Sequence, residues 1–285
     1  MKQSEIRDWV KWLLMFLAVV FLWSVIQRED PASRHYDRGH DYFEKEQYDL
    51  SIKEFTDAIA IDPCGASAYC SRGLAYQCLG AYQHAISDFN RALEIDSGYA
   101  LAYYSRACAY HTKGDCEHAI ADYTKAVELA PEQADYYWGR GSALAAQERY
   151  EDALLDYGKA IELDPCCVEA YHGRAGVYSS RGEHDAALRE LKRAIEIDPQ
   201  YAGAYCVRGI VYTEQKRYEP AVADYTKAIE LDPANGELHV NRAWAYCRKQ
   251  EYDLAWADVR RAEELGTVVP EAFLKELREA SGREK

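Results

Sequence analysis

Positive charge is in short supply in this 285-residue chain: 34 lysines and arginines face 48 aspartates and glutamates, a formal net charge of −14. Gripping a phosphate backbone takes a concentrated basic face, so nucleic acid is excluded as a partner. An acidic body is not drawn to an anionic lipid surface either. Eight prolines and 17 glycines are too few for a fibrous or linker-rich chain, and no Asn-x-Ser/Thr acceptor occurs. Methionine (2) and phenylalanine (6) are scarce, yet tyrosine reaches 24. Aromatic content drawn from one residue type points to repetition. Apolar residues at 48% and charged residues at 29% are enough to bury a core.

The nine cysteines form an odd set with no framework spacing. An oxidising compartment would mispair so many thiols, which favours a reducing one. Residues 12–26 carry no charge, and extended back to Trp9 the apolar stretch covers 18 residues, about 27 Å as a helix. Trp9, Trp12 and Trp23 suit interfacial belts, and Lys11 can snorkel. A cleaved signal would need small residues after the stretch, where Trp23-Ser24-Val25-Ile26 stands instead. The sequence therefore predicts a single-pass membrane anchor at 9–26, after a tail at 1–8 and before a linker at 27–31. Basic residues flank both ends, so the side of the membrane stays open.

Beyond residue 31 the chain is periodic. Arg38, Arg72, Arg106, Arg140, Arg174, Arg208 and Arg242 follow one another at 34-residue steps. Ala58, Ala92, Ala126, Ala160, Ala194, Ala228 and Ala262 keep the same step, as do Pro131, Pro165, Pro199 and Pro233. Tyr42, Tyr76, Tyr110, Tyr178, Tyr212 and Tyr246 add a register in which Leu144 takes one slot. Seven periods run over 32–65, 66–99, 100–133, 134–167, 168–201, 202–235 and 236–269. Each reads as two amphipathic helices: Tyr103, Ala107 and Tyr110 share one stripe, and Ala119, Tyr123 and Ala126 another. Pro131 closes the second helix by disfavouring α geometry at Ala130, and Gly80, Gly114 and Gly182 sit where the first must stop. Residues 270–285, opening PEAFLKELREAS, predict a capping helix and tail over the last apolar flank.

The pattern resembles the tetratricopeptide repeat family, whose signature is met in full by Tyr205, Gly209, Tyr212, Ala221, Tyr225, Ala228 and Pro233. Departures are Ser51, Leu144, Leu191, Val259, Ser97 and Thr267. The resemblance implies an all-α, right-handed superhelical solenoid of antiparallel helix pairs, first helices lining the concave side, here following the transmembrane helix. It also implies a peptide-binding groove that includes Tyr36, Leu74, Tyr104, His111, Trp138, His172, Ile210 and Trp244. Some relatives hold the acidic tails of heat-shock chaperones with groove lysines, asparagines and arginines. The corresponding positions here are Tyr36, Cys70, Tyr104, Trp138, His172, Cys206 and Val240, so that carboxylate clamp is absent. A neutral, aromatic groove suits apolar anchors of a protein or peptide partner, with Tyr104 and Trp138 projecting from adjacent first helices. The competing reading makes those rings packing.

No catalytic constellation emerges: no nucleophile lies in a strained turn and no Gly-rich loop follows a strand, so no enzyme activity and no cofactor are expected. Cys108, His111, Cys116 and His118 offer zinc-type donors in the third period, but Cys116 and His118, two apart at a helix start, point to different faces. Cys166-Cys167 reads as a helix-end pair rather than a redox couple. Each repeat arginine from Arg72 on follows an acid by 18 residues, as Arg174 follows Asp156. The expectation is that an acid on one second helix meets the arginine of the next period, which leaves Asp258 with none. The function that results is a membrane-tethered interaction scaffold, with an envelope or secretion assembly factor as the alternative.

Overall fold

The computed structural model describes residues 30–283. Every regular element among them is a helix, fifteen in all, gathered into two compact units that meet in sequence at Asp115 and Cys116. The first unit holds α1 (Pro31–Glu44), α2 (Tyr48–Ile61), α3 (Ala66–Cys78), α4 (Tyr82–Ile95) and α5 (Ala100–Thr112). The second holds α6 (Cys116–Leu129), α7 (Ala134–Ala146), α8 (Tyr150–Leu163), α9 (Val168–Ser180), α10 (His184–Ile197), α11 (Ala202–Glu214), α12 (Tyr218–Leu231), α13 (Gly236–Arg248), α14 (Tyr252–Glu264) and α15 (Glu271–Ser281). Within each unit every helix packs on its sequence neighbours, and first helices of adjacent periods also touch.

Two kinds of turn produce this stacking. Each first helix ends at a residue in the left-handed region: Glu46, Gly80, Gly114, Glu148, Gly182, Lys216 and Gln250, one per period, with φ between 57° and 81°. At Gly80 the following Ala81 N–H donates to the Tyr76 carbonyl at 2.8 Å, the long bond of a Schellman ending. Glycine fills only three of the seven places, so packing carries the turn at the other four. Most second helices end on an aspartate in extended geometry, such as Asp62, Asp96, Asp164 and Asp198. Proline after it disfavours helix, but Asp96 precedes Ser97 and turns in the same way. The aspartate itself holds the turn: Asp62, Asp96, Asp164 and Asp198 each accept the backbone N–H two residues on, at 2.8–3.0 Å. The seventh period departs from this, ending α14 on Gly266 (φ +78°) and leading into α15.

Small residues let the helix backbones meet. Ala85, Ala92, Ala107, Ala119, Ala126, Ala153 and Ala160 are wholly buried. A large ring on most second helices fills the space that remains: Phe55, Phe89 and Tyr225 press on a glycine of their own pair (Gly39, Gly73 and Gly209), whereas Tyr123 and Tyr157 press on a glycine of the next period. A Cβ placed on Gly139 would lie 2.6 Å from the Tyr123 ring, and one on Gly173 would lie 2.6 Å from the Tyr157 ring and 2.8 Å from its hydroxyl. Where the second-helix residue is the smaller Leu191, the matching position is Val207, and the two pack in one cluster. Helix α15 contributes buried Phe273, Leu274 and Leu277 to the last cluster with Trp256 and Val259.

The recurring arginines are structural, but their partners differ from those expected. Arg72 forks onto Asp88, Arg140 onto Asp156, Arg208 onto Asp224 and Arg242 onto Asp258, each with Nε and Nη2 at 2.7–2.8 Å from the two oxygens. The acid lies sixteen residues after the arginine, within its own helix pair, not eighteen before it. In a 34-residue period the two descriptions fit the same list of residues. The hairpin decides between them, because its tight turn sets a first helix directly against its own second helix. Asp258, expected to be unpartnered, is bonded by both Arg242 and His239. The remaining donor, Nη1, reaches back across the period boundary: Arg72 to Thr56 and Arg242 to Thr226 at 3.0 Å, Arg106 to Asn90 at 2.6 Å. At Arg72, Arg140, Arg208 and Arg242 the hydrogen-bonded carboxylate raises the guanidinium pKa against the opposing effect of burial.

Among the described residues no helix is long and apolar enough to cross a membrane. This overturns the membrane localisation expected from the sequence. Residues 9–26, on which that expectation rested, lie outside the described residues, and the anchor is withdrawn.

Candidate partner-binding surface

All eight residues expected on the concave side are half-buried, neither sealed in the core nor fully open. In the first unit Tyr36 meets His40 edge-on with centroids 4.6 Å apart, and Leu74 packs on the cluster of Cys70, Phe89 and Leu93. Tyr104 and His111 stand on α5, where desolvation lowers the His111 pKa. In the second unit Trp138 lies against the cluster of Leu144, Tyr157 and Val177. His172 on α9 touches the Tyr201 ring edge-on at 5.4 Å, and burial lowers its pKa, partly offset by Glu169. Tyr104 and Trp138 belong to different units.

The structure brings Ile210 and Trp244 together. They line an open cleft of about 270 Å³ with Thr213, Glu214, Tyr218, Tyr225, Asn241 and Arg248. The Tyr225 hydroxyl lies 3.3 Å from Thr213 Oγ1, and burial raises its pKa. The Trp244 ring stacks on Phe273 of α15 at 4.3 Å, and the Arg248 guanidinium sits 5.5 Å from its centre. Arg248 is itself paired with Glu276 at 2.8 Å. The cleft therefore offers an aliphatic side chain and held aromatic rings, with an amide, a hydroxyl and one carboxylate beside them. Sequence reasoning missed Asn241, Thr213 and Glu214, which carry no periodic signal, and it used Tyr225 only as a core ring.

Thiol chemistry is suppressed at the more buried cysteines. Burial pushes Cys70 and Cys167 up to about 11 and raises Cys206, so these thiols stay protonated near neutrality. Cys108 and His111 stand on α5 and Cys116 and His118 on or beside α6, in different units. Among the described residues the donor atoms that converge, within 4.8 Å, are those of His35, Glu54 and Asp57.

Comparison with known proteins follows the same lines. Family profiles described as "Tetratricopeptide repeat" match residues 66–99, 202–235, 104–165 and 224–257, and one described as "TPR repeat" matches 39–80 and 175–216. A tetratricopeptide repeat protein from Parabacteroides merdae is 22% identical over 89% of this chain and 99% of its own, with a TM-score of 0.71. YrrB, described as a TPR protein with an unusual peptide-binding site, is 26% identical over 69% of this chain and 97% of its own, TM-score 0.52. A thermophilic TPR protein in Thermus thermophilus is 25% identical over 64% of this chain and 100% of its own, TM-score 0.57. Among curated proteins none matches.

Proposed function

The chain belongs to the tetratricopeptide repeat family, whose members are in general protein–protein interaction scaffolds, and from that premise we propose a non-enzymatic scaffold that receives a peptide segment in the cleft at Ile210 and Trp244. The observation that carries the proposal is the make-up of that cleft. Trp244 is held by Phe273 and Arg248, so its position costs little entropy to fix on binding. Ile210 adds apolar surface, and Asn241 and Thr213 can meet backbone amides of an extended segment. YrrB, at 26% identity, is described as having a peptide-binding site, which supports the class of ligand. Within the second unit Trp138 and His172 are further proposed contact residues, and Tyr36, Leu74, Tyr104 and His111 are proposed separately for the first unit, without a lysine among them.

Peptides selected from a random library on the full chain test this directly. The selected sequences should carry an aliphatic or aromatic anchor and bind with weak salt dependence, since no basic cluster lines the cleft. An Ile210→Glu variant with an unchanged circular dichroism spectrum should lose at least ~10-fold in affinity, the scale of losing one apolar anchor. Undiminished binding by that variant, or binding dominated by peptide charge, would place the partner surface elsewhere.

A further inference from the structure

The first helix pair departs from the period in a chemically specific way. At the register of Asp57 the other six periods carry a cation: Arg91, Lys125, Lys159, Arg193, Lys227 and Arg261. At the register of His35 the second to sixth periods carry tyrosine. In the second period that tyrosine, Tyr69, has Arg72 and Arg91 over its ring at 5.6 and 6.0 Å. The first period thus replaces a ring and a cation by an imidazole and a carboxylate, while keeping the ladder acid as Glu54.

Those replacements gather three donor atoms. His35 Nδ1 lies 2.7 Å from Glu54 Oε2 and 3.9 Å from Asp57 Oδ2. Glu54 and Asp57 are three apart on α2 and share a face, with His35 opposite on α1. Arg38 Nη2 completes the cluster at 2.8 Å from both Glu54 and His35 Nδ1. Nδ1 cannot at once donate to Glu54 and accept from Arg38. If Nδ1 carries its proton for Glu54, it faces the guanidinium donor at hydrogen-bond distance. If Nδ1 is bare to accept from Arg38, its lone pair faces the carboxylate oxygen. A cation bound to both acceptors removes the conflict. Arg38 is 54% exposed and free to swing into solvent, and Asp57 at 45% leaves an approach open.

We propose that His35 Nδ1, Glu54 Oε2 and Asp57 Oδ2 bind one divalent transition-metal ion of the zinc class, in place of Arg38 and with water as the fourth ligand. One imidazole with two carboxylates suits such an ion better than calcium or magnesium, which prefer all-oxygen shells. Bonds of 2.0–2.2 Å to a tetrahedral ion place ligand atoms roughly 3.3 Å apart, so the 2.7 Å and 3.9 Å separations need only small side-chain shifts. The bound ion would clip α1 to α2.

Zinc titration of the full, chelator-stripped chain tests the site after its exposed thiols, Cys64, Cys78 and Cys166, are blocked with iodoacetamide. One equivalent should bind and raise the melting temperature. Asp57→Arg, which installs the residue type of the other periods and so preserves the fold, should weaken binding at least ~10-fold, and His35→Ala likewise. Arg38→Gln should tighten it, because the competing cation is gone. No binding after thiol blocking, unchanged affinity in Asp57→Arg, or weaker affinity in Arg38→Gln would each overturn the assignment.

Discussion

At the scale of single residues, the carboxylates of the arginine ladder and two half-buried histidines decide how stability responds to mutation and pH. Asp258 accepts from Arg242 at 2.8 Å through each oxygen and from His239 at 2.9 Å. Asp156 accepts only the fork of Arg140. Asp258→Ala should therefore cost at least as much as Asp156→Ala, each about 3 kcal/mol, since both leave a largely buried arginine unpaired. Urea midpoints for the two variants check this, and a near-neutral Asp258→Ala would show that the fork contributes little. His172 gives a pH signature. Burial holds its pKa below the ordinary 6.5, so the unfolded chain binds the proton more readily. Its contribution is present above that value and is lost as pH falls through 6.5 towards the lowered folded value. Denaturant midpoints should drop between about pH 7.5 and about pH 5.5, and His172→Gln should flatten part of that drop, His111 supplying a further part of the same sign. Parallel profiles for wild type and variant would remove His172 from the account.

At the scale of elements, the helix pairs differ in how firmly each is tied to the one before it. Thr56, Asn90, Thr124 and Thr226 each receive the backward-reaching donor of the next arginine. The corresponding position before Arg174 is Gly158, which has no side chain to offer, and a Cβ there would meet nothing within 4 Å. Arg174 also places both Nε and Nη2 on a single oxygen of Glu190. Gly158→Thr should add a brace as well as relieve a mid-helix glycine, for a gain of about 1 kcal/mol. Gly158→Ala separates the two effects. Alanine is the better helix former by roughly 0.5 kcal/mol, so a threonine variant that equals or exceeds it reports the brace. If alanine wins by its full propensity margin, no brace forms.

The helix pairs were legible in the sequence because arginine, alanine, tyrosine and proline keep one spacing through seven periods. The arginine partners were not, because a spacing taken modulo the period does not say which neighbour is meant. The turn aspartates were overshadowed by the prolines after them, although Asp96 turns without one. The cleft was half legible: Ile210 and Trp244 were named, but the ring that holds Trp244 comes from Phe273, outside the period. The cluster at His35 escaped notice because each of its residues is ordinary alone, and only His35 and Asp57 depart from the neighbouring periods.

At the scale of the whole molecule, the matching of Tyr123 to Gly139, Tyr157 to Gly173 and Leu191 to Val207 makes the periods non-interchangeable. At these boundaries the second helix of one period is complementary to the first helix of the next, in addition to the matches inside each pair, so a period cannot be cut out at the prolines without regard to its neighbours. Excision of one period is then a test of grammar rather than of length. Removing residues 134–167 brings Tyr123 to Gly173 and Thr124 to Arg174, a ring with its cavity and an acceptor with its donor. Removing residues 168–201 brings Tyr157 to Val207, whose side chain would occupy the place where a mere Cβ already comes within 2.6 Å of that ring. The two shortened proteins are equal in length and closely similar in composition. The first should fold cooperatively and the second should be expressed poorly or melt early, and a duplication or loss of periods in any lineage of this chain would be filtered by the same rule.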